Sequence, residues 1–289
     1  MKVCVACTHR FAGAEWRCPR CNWTAEIRNG IRLLIPGATD GAPGFDAGFF
    51  EKVDKAEQEH FWFQGRMSLI EHVLDRFFPR AATFLDVGSG TGHVVARLRR
   101  LRPSMDVTAA EAFSDGLRLT AQRASGVELI QTDAQHLPYD AEFDVVGAFD
   151  VIEHIADDRA AVREMIRAVR PDGGLIFTVP QHRFLWSPFD DYVRHHRRYS
   201  RAEMMRLLEA AGCEVVFATS FVSLLLPAMF VARMIRRAEP DDPLSEFHVS
   251  RWMNRVGGSL LTMERWLIRR GMTFPAGGSL LVVARKLSP

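Results

Sequence analysis

The residues able to do chemistry in this 289-residue chain fall into two groups, four cysteines at the start and an acid-and-glycine run from residue 84. The second group reads Phe84-Leu85-Asp86-Val87-Gly88-Ser89-Gly90-Thr91-Gly92, an apolar strand that ends on an acid and turns through alternating glycines. Glycines there take the positive φ values that residues with a Cβ avoid, and they let backbone N–H groups approach a ligand closely. Many strand-to-helix turns do this and bind nothing, so the sequel matters. A second strand, Asp106 to Glu111, delivers a carboxylate about twenty residues past the glycines, where nucleotide-binding sheets place the acid that grips ribose hydroxyls. The pair predicts a cradle for a nucleoside-containing cofactor. The dinucleotide signature G-x-G-x-x-G would need glycine at 93, where this chain has His93, so the spacing leans away from NAD.

Four of the five cysteines lie in the first 21 residues, as Cys4-Val5-Ala6-Cys7 and Cys18-Pro19-Arg20-Cys21. Two C-x-x-C pairs at this separation place four thiolates tetrahedrally around one Zn²⁺, in a segment too small to fold on apolar burial alone. Two disulfides are the alternative, which a reducing compartment disfavours. Asn22, after the second pair, suits the left-handed turn that closes a knuckle.

These motifs must be carried by elements in a definite order. Asp86-x-Gly88-x-Gly90-x-Gly92 is followed by Glu111, then by Asp133-Ala134 after a third strand, then by a fourth strand ending at Asp150. From about residue 60 to 289 the chain resembles the class I S-adenosylmethionine-dependent methyltransferases of small-molecule type. The resemblance implies a doubly wound, Rossmann-like α/β sheet of seven strands with the last antiparallel. It also implies that Glu111 binds the ribose, Asp133 the adenine amino group, and the glycine turn the methionine half, with Ala134 and Asp150 beside them. Asp86 would hold the site's backbone or the ligand's ammonium. Residues 27–36 are similar to the last strands of zinc ribbons found ahead of bacterial methyltransferases, some acting on ribosomal RNA and others on small molecules. The turn-rich linker 36–44 divides a ribbon, 1–40, from a methyltransferase domain, 41–289.

Several segments bear on the methyl acceptor. Glu57 to Arg66, dense in aromatics, reads as helix; Arg66 can pair with the cofactor carboxylate, or be a solvated charge beside core aromatics. His154 follows the fourth strand, where ligands of open α/β sheets sit, and is a candidate base or a structural histidine. The run Gln181 to Arg201 resembles the substrate loop of enzymes acting on sugar, lipid or quinone-like acceptors and supplies a second candidate base, His196. Beyond it, an apolar helical insertion at about 221–273 carries Arg233, Arg236 and Arg237. That insertion can touch a membrane surface through 221–237, cover a greasy acceptor, form a buried cap, or make a homodimer contact.

Composition sets bounds on these readings. A net charge of +2 disfavours nucleic acid as a partner, and 47% hydrophobic residues can fill a core. The N-terminus has cysteines and charges where a secretory peptide needs an apolar stretch, so a cytoplasmic setting is expected. The one remaining cysteine, Cys213, reads as a packed side chain, which argues against chemistry at carbon 5 of a pyrimidine. The function expected is methyl transfer to an O or N atom of a small-molecule or lipid- or sugar-linked acceptor. An RNA methyltransferase guided by the ribbon, or a cofactor-binding module without turnover, are the alternatives.

Overall fold

A computed structural model describes residues 1–35, 47–236 and 249–287. Short apolar runs separated by turn residues become parallel strands buried on both faces, as expected when helices cover both sides of a sheet. The strands are β5 (Thr83–Val87), β6 (Asp106–Glu111), β7 (Glu128–Gln131), β8 (Phe143–Phe149), β9 (Val169–Pro180), β10 (Cys213–Phe221) and β11 (Ser279–Lys286). Among the described residues the sheet runs β10-β11-β9-β8-β5-β6-β7 and then continues through β4 (Ile31–Leu33) to β3 (Glu26–Arg28). Of the seven strands expected from the sequence, only β11, set between β10 and β9, runs against the others.

The two extra strands correct the expected strand count and change how the ribbon relates to the rest. Asn29 and Gly30, at φ 52° and 80°, make the two-residue turn of a hairpin. Strand β4 then pairs in parallel with β7, Ile31 against Leu129 and Leu33 against Gln131, covering an edge that would otherwise be open. Trp16 is buried, stacks edge-on to Tyr139 at 5.5 Å, and donates its indole N–H to Glu128 at 2.8 Å. The cysteine-bearing segment is therefore docked on the large sheet and shares its core. The expected boundary at residue 40 and the linker 36–44 lie outside the described residues, as do Arg237 and the Arg236 side chain.

The two sheet faces alternate along each strand. Phe84, Val145, Ile176 and Val283 pack with α2 (Phe61–Phe77), α3 (His93–Leu101) and α9 (Arg251–Arg269) through Ile70, Leu98 and Leu261. Leu85, Val146, Phe177 and Val282 pack with α5 (Asp158–Ala168) and α7 (Arg201–Ala210) through Met165 and Leu208. Helix α9, from the insertion, lies directly on α2: a Cβ on Gly65 would stand 2.0 Å from a Leu261 methyl, so any larger residue there would have to displace that side chain. With α8 (Leu226–Arg236) it roofs the carboxyl ends of the central strands.

Candidate functional site

A cavity of about 960 Å³ opens at those strand ends, and it is lined by the glycine turn, Glu111, Asp133, Asp150, His154 and the roofing helices. One wall is built by three adjacent strands. Gly88, Gly90 and Gly92 have φ of 70°, 53° and 79°. A Cβ on Gly88 would stand 2.4 Å from Val151 and one on Gly92 2.6 Å from Thr120, whereas one on Gly90 would meet nothing within 4 Å. Gly90 thus leaves open space where a ligand can lie against the backbone. Glu111, at the end of β6, accepts backbone N–H bonds from Gly90 at 2.9 Å, Ala112 at 2.8 Å and Phe113 at 3.2 Å. Burial raises its pKa, and those three donors oppose the rise.

Asp86 is fully enclosed, and its Oδ2 has no hydrogen-bond partner. Burial pushes its pKa up to about 8. A cationic group arriving beside it would reverse that shift and satisfy the oxygen. These features, an orphaned buried carboxylate oxygen beside open backbone, fit the ammonium and methionine half of S-adenosylmethionine. Asp133 sits at the end of β7, where it caps the short turn 134–136 by accepting from the Gln135 N–H at 2.9 Å, and it remains partly exposed to the cavity with Ala134.

The aromatic segment splits into α1 (Ala47–Glu59) and α2, with His60 between them accepting from the Trp62 N–H. Arg66, on α2, is buried and paired with Asp150 at 2.5 Å, while Trp62 and Phe63 lie 4.7 and 5.3 Å from its guanidinium. The cation these rings meet is therefore Arg66. Asp150 is held at φ 58° and also accepts from the Thr178 hydroxyl at 2.9 Å. A guanidinium has five N–H donors, so Arg66 can hold Asp150 and a further carboxylate together. Glu57 on α1 is buried against the Thr91 hydroxyl and Arg123, and burial lifts its pKa to about 7.

The opposite wall is assembled from distant segments. The turn 152–154 after β8 presents Glu153 and His154. Val193 O accepts from His154 Nδ1 at 2.8 Å, and burial, aided by the neighbouring His195, lowers the His154 pKa to about 3. Asp190 lies on the short helix α6 (Pro188–Tyr192), where it completes a capping box with Ser187. It takes a bidentate pair of bonds from Arg198, at 2.8 and 2.9 Å, and one from His195 Nδ1 at 2.6 Å. Burial alone would raise the Asp190 pKa, but His195 and Arg198 outweigh it and hold the carboxylate below its usual range. Tyr199 is buried with its hydroxyl on Asp158 at 2.8 Å. His196 is exposed at the cavity mouth, its backbone N–H bonded to Glu153 O. Sequence reasoning missed Glu153 and His195, which the fold brings together from segments far apart in the chain. A trace of signal existed in the adjacent histidines downstream of an Asp-Asp pair, without anything to say which ring turns inward.

At the other end of the molecule Cys4, Cys7, Cys18 and Cys21 converge, with their sulfurs within 4.8 Å of one another and two pairs at 3.6 Å. Zn–S bonds of about 2.3 Å set tetrahedral sulfur separations of about 3.8 Å, so the set fits zinc. Thr8 and Asn22, at φ 58° each, close the two knuckles by returning their N–H groups to Cys4 O and Cys18 O.

A methyltransferase-domain family profile matches residues 60–217, over half of the chain. A probable S-adenosylmethionine-dependent methyltransferase of Mycolicibacterium smegmatis is 32% identical over 165 residues, which are 55% of this chain and 61% of that protein. A ubiquinone/menaquinone biosynthesis C-methyltransferase of Pseudomonas putida is 30% identical over 119 residues, 37% of this chain and 46% of its own length. The chain thus spans about half the length of the curated relatives it matches. Among solved structures, the complex of the Haloferax volcanii Trm112 methyltransferase activator with a putative methyltransferase aligns at a TM-score of 0.55 and 18% identity, covering 84% of this chain and 96% of that one. Phosphoethanolamine N-methyltransferase 2 of Haemonchus contortus, in complex with S-adenosyl-L-methionine, aligns at 0.55 and 16%, covering 84% and 57%. At these identities the solved structures share the fold.

Proposed function

The chain belongs to the class I S-adenosylmethionine-dependent methyltransferases, and from that premise we propose that it methylates an oxygen or nitrogen of a small-molecule or lipid- or sugar-linked acceptor. The observation that carries this reading is that one cavity is walled on one side by the donor motifs and on the other by the apolar residues Leu225, Met229, Trp252 and Val256 of the insertion. The donor supplies a methyl group already activated by its sulfonium charge. As the new bond to the acceptor atom forms, the carbon–sulfur bond breaks and its electron pair stays on sulfur.

In this reading Glu111 receives the ribose hydroxyls, Asp133 and Ala134 flank the adenine, and Gly88, Gly90 and Gly92 let the backbone meet the methionine half. Asp86 holds the ammonium, and Arg66, braced by Asp150, holds the carboxylate. Most of the catalysis comes from alignment and exclusion of water, since the methyl needs no further activation. His154 stays neutral at pH 7 and so offers a lone pair, and His196 reaches the same mouth from the exposed side. The insertion serves as acceptor cover in preference to a membrane contact through 221–237 or a homodimer contact, because its inner face lines the cavity. Among the described residues no helix is long and apolar enough to cross a membrane.

Residues 1–40 act as a closed structural zinc ribbon, with Cys4, Cys7, Cys18 and Cys21 leaving no position for water. Thiolates kept as ligands suit a cytoplasmic setting. Cobalt substitution tests this: thiolate-to-cobalt charge-transfer bands are expected and should vanish in Cys18→Ala.

The acceptor class is tested by following labelled methyl from S-adenosylmethionine into hydroxylated and aminated aromatics, lipid-linked sugars and total RNA. Label in the first two classes is expected. Label in RNA alone would replace the acceptor reading, and a chain that binds NAD but not S-adenosylhomocysteine would remove the donor reading.

A further inference from the structure

The buried end of the acceptor wall contains a group that the methyl-transfer reading does not use. Glu153 has no exposed surface, and neither of its carboxylate oxygens has a hydrogen-bond partner. Facing it are two imidazoles. His195 Nε2 lies 3.9 Å from Glu153 Oε1, the His154 and His195 rings meet edge-on with centroids 4.5 Å apart, and one ligand atom from each of the three residues falls within 4.8 Å of the others.

Both rings are oriented the way metal-bound imidazoles are. A ligating histidine commonly donates its second ring N–H to a carboxylate or a backbone carbonyl, which fixes the tautomer and aims the other nitrogen at the ion. Here His195 Nδ1 is held by the Asp190 carboxylate, itself clamped by Arg198, and His154 Nδ1 by Val193 O. The buried carboxylate supplies the negative charge, and burial raises its pKa well above the ordinary value so long as no cation faces it. We propose that Glu153, His154 and His195 bind a divalent transition-metal ion at the wall of the acceptor cavity. Bonds of about 2.1 Å set ligand-atom separations of about 3.0 to 3.4 Å, so atoms now within 4.8 Å of one another must close by at most about 1.8 Å.

Two imidazoles and one carboxylate suit Mn²⁺, Fe²⁺ or Zn²⁺ and leave coordination positions open toward the cavity. The site itself does not depend on the acceptor, but its use rests on the methyl-transfer reading, with His154 Nε2 then bound to the ion in place of serving as a free base. An acceptor hydroxyl bound there loses its proton to solvent more readily. Its oxygen then forms the new bond to methyl while sulfur keeps the electron pair of the broken bond, and the ion changes no oxidation state. The substrate class this favours carries an ionisable oxygen next to the methylated position.

Manganese provides the probe, because a hard ion is a poor match for the four thiolates of the ribbon. The full chain, with its ribbon zinc kept in place and loosely held metal removed by gel filtration, is titrated with Mn²⁺ while electron paramagnetic resonance reads free ion, and calorimetry with S-adenosylhomocysteine serves as the check on folding. The wild type should take one Mn²⁺ per chain. Glu153→Gln and His195→Gln should each weaken Mn²⁺ by at least about tenfold, with S-adenosylhomocysteine binding retained. The proposal fails if the wild type binds no Mn²⁺ above the level of surface carboxylates, or if both variants bind it as the wild type does. Should Glu153→Gln fail to fold, His195→Gln decides. Loss of S-adenosylhomocysteine binding in the wild type would strike the donor reading and leave the metal result to stand alone.

Discussion

One wall of the cavity, which the proposed function gives to the methyl donor, is made from residues 86–92, 111 and 133, at the ends of three neighbouring parallel strands, and its contacts are mostly backbone N–H groups and glycine space. The opposite wall is made from residues 152–154, 187–198 and two inserted helices, and its contacts are side-chain ion pairs, Arg198 and His195 with Asp190. Backbone geometry is set by glycines and strand register, so it tolerates little change. A side-chain network can be rebuilt with other residues, which is how one fold serves unlike acceptors while keeping one donor.

The comparison is broken most severely at Gly88. Alanine there adds a Cβ 2.4 Å from Val151 on a positive-φ backbone, so the fold should lose about 2 to 4 kcal/mol. Gly90→Ala has the same φ penalty but no clash within 4 Å. It should cost the fold only about 1 kcal/mol, yet weaken S-adenosylhomocysteine more than that. Thermal unfolding and calorimetry of the two variants separate the effects, and equal losses in both would show that Gly90 does not face the donor.

Glu111→Ala should weaken donor binding by about 1 to 3 kcal/mol, the range for a charged hydrogen-bonding partner. Calorimetry reads this directly, and unchanged affinity would move the ribose elsewhere. Asp86 sharpens the same side through pH. Its pKa of about 8 in the free protein keeps it largely protonated at pH 7, and an ammonium held beside it must lower that value. Donor binding at pH 7 should therefore release a proton, and affinity should rise between pH 6 and 8 as less protonation has to be undone. Calorimetry in buffers of differing ionisation enthalpy measures the proton count, and zero release would place the ammonium away from Asp86.

The smallest effect is expected on the acceptor side. His196→Ala removes an exposed ring, so stability should move by no more than about 0.5 kcal/mol and donor affinity should not change. Turnover with an identified acceptor decides its role. If His154→Ala and His196→Ala both keep full turnover while Asp190→Ala abolishes it, proton transfer is not their task and positioning by the Asp190 network is what the reaction needs.

Legibility followed the same division. The glycine spacing, the acid after β6 and the paired cysteines are local patterns, and strand ends at Glu111 and Phe149 fell within a residue of expectation because period and punctuation decide them. The seven-strand expectation missed β3 and β4, since an Asn-Gly hairpin announces a turn and says nothing about which edge it will cover. Arg66 was legible as a site residue, but its pairing with Asp150 was not.

The sequence alone therefore determined the fold family, the positive-φ glycine turn and the four-thiolate cluster, because each depends on residues close in the chain whose geometry the backbone itself enforces. Only the tertiary structure decided that the ribbon's last strands extend the central sheet, that α8 and α9 roof the cavity, and that Glu153 faces His154 and His195 in its wall. Those outcomes depend on long-range burial, where charge with no partner in the linear chain finds one only after the sheet has closed around it.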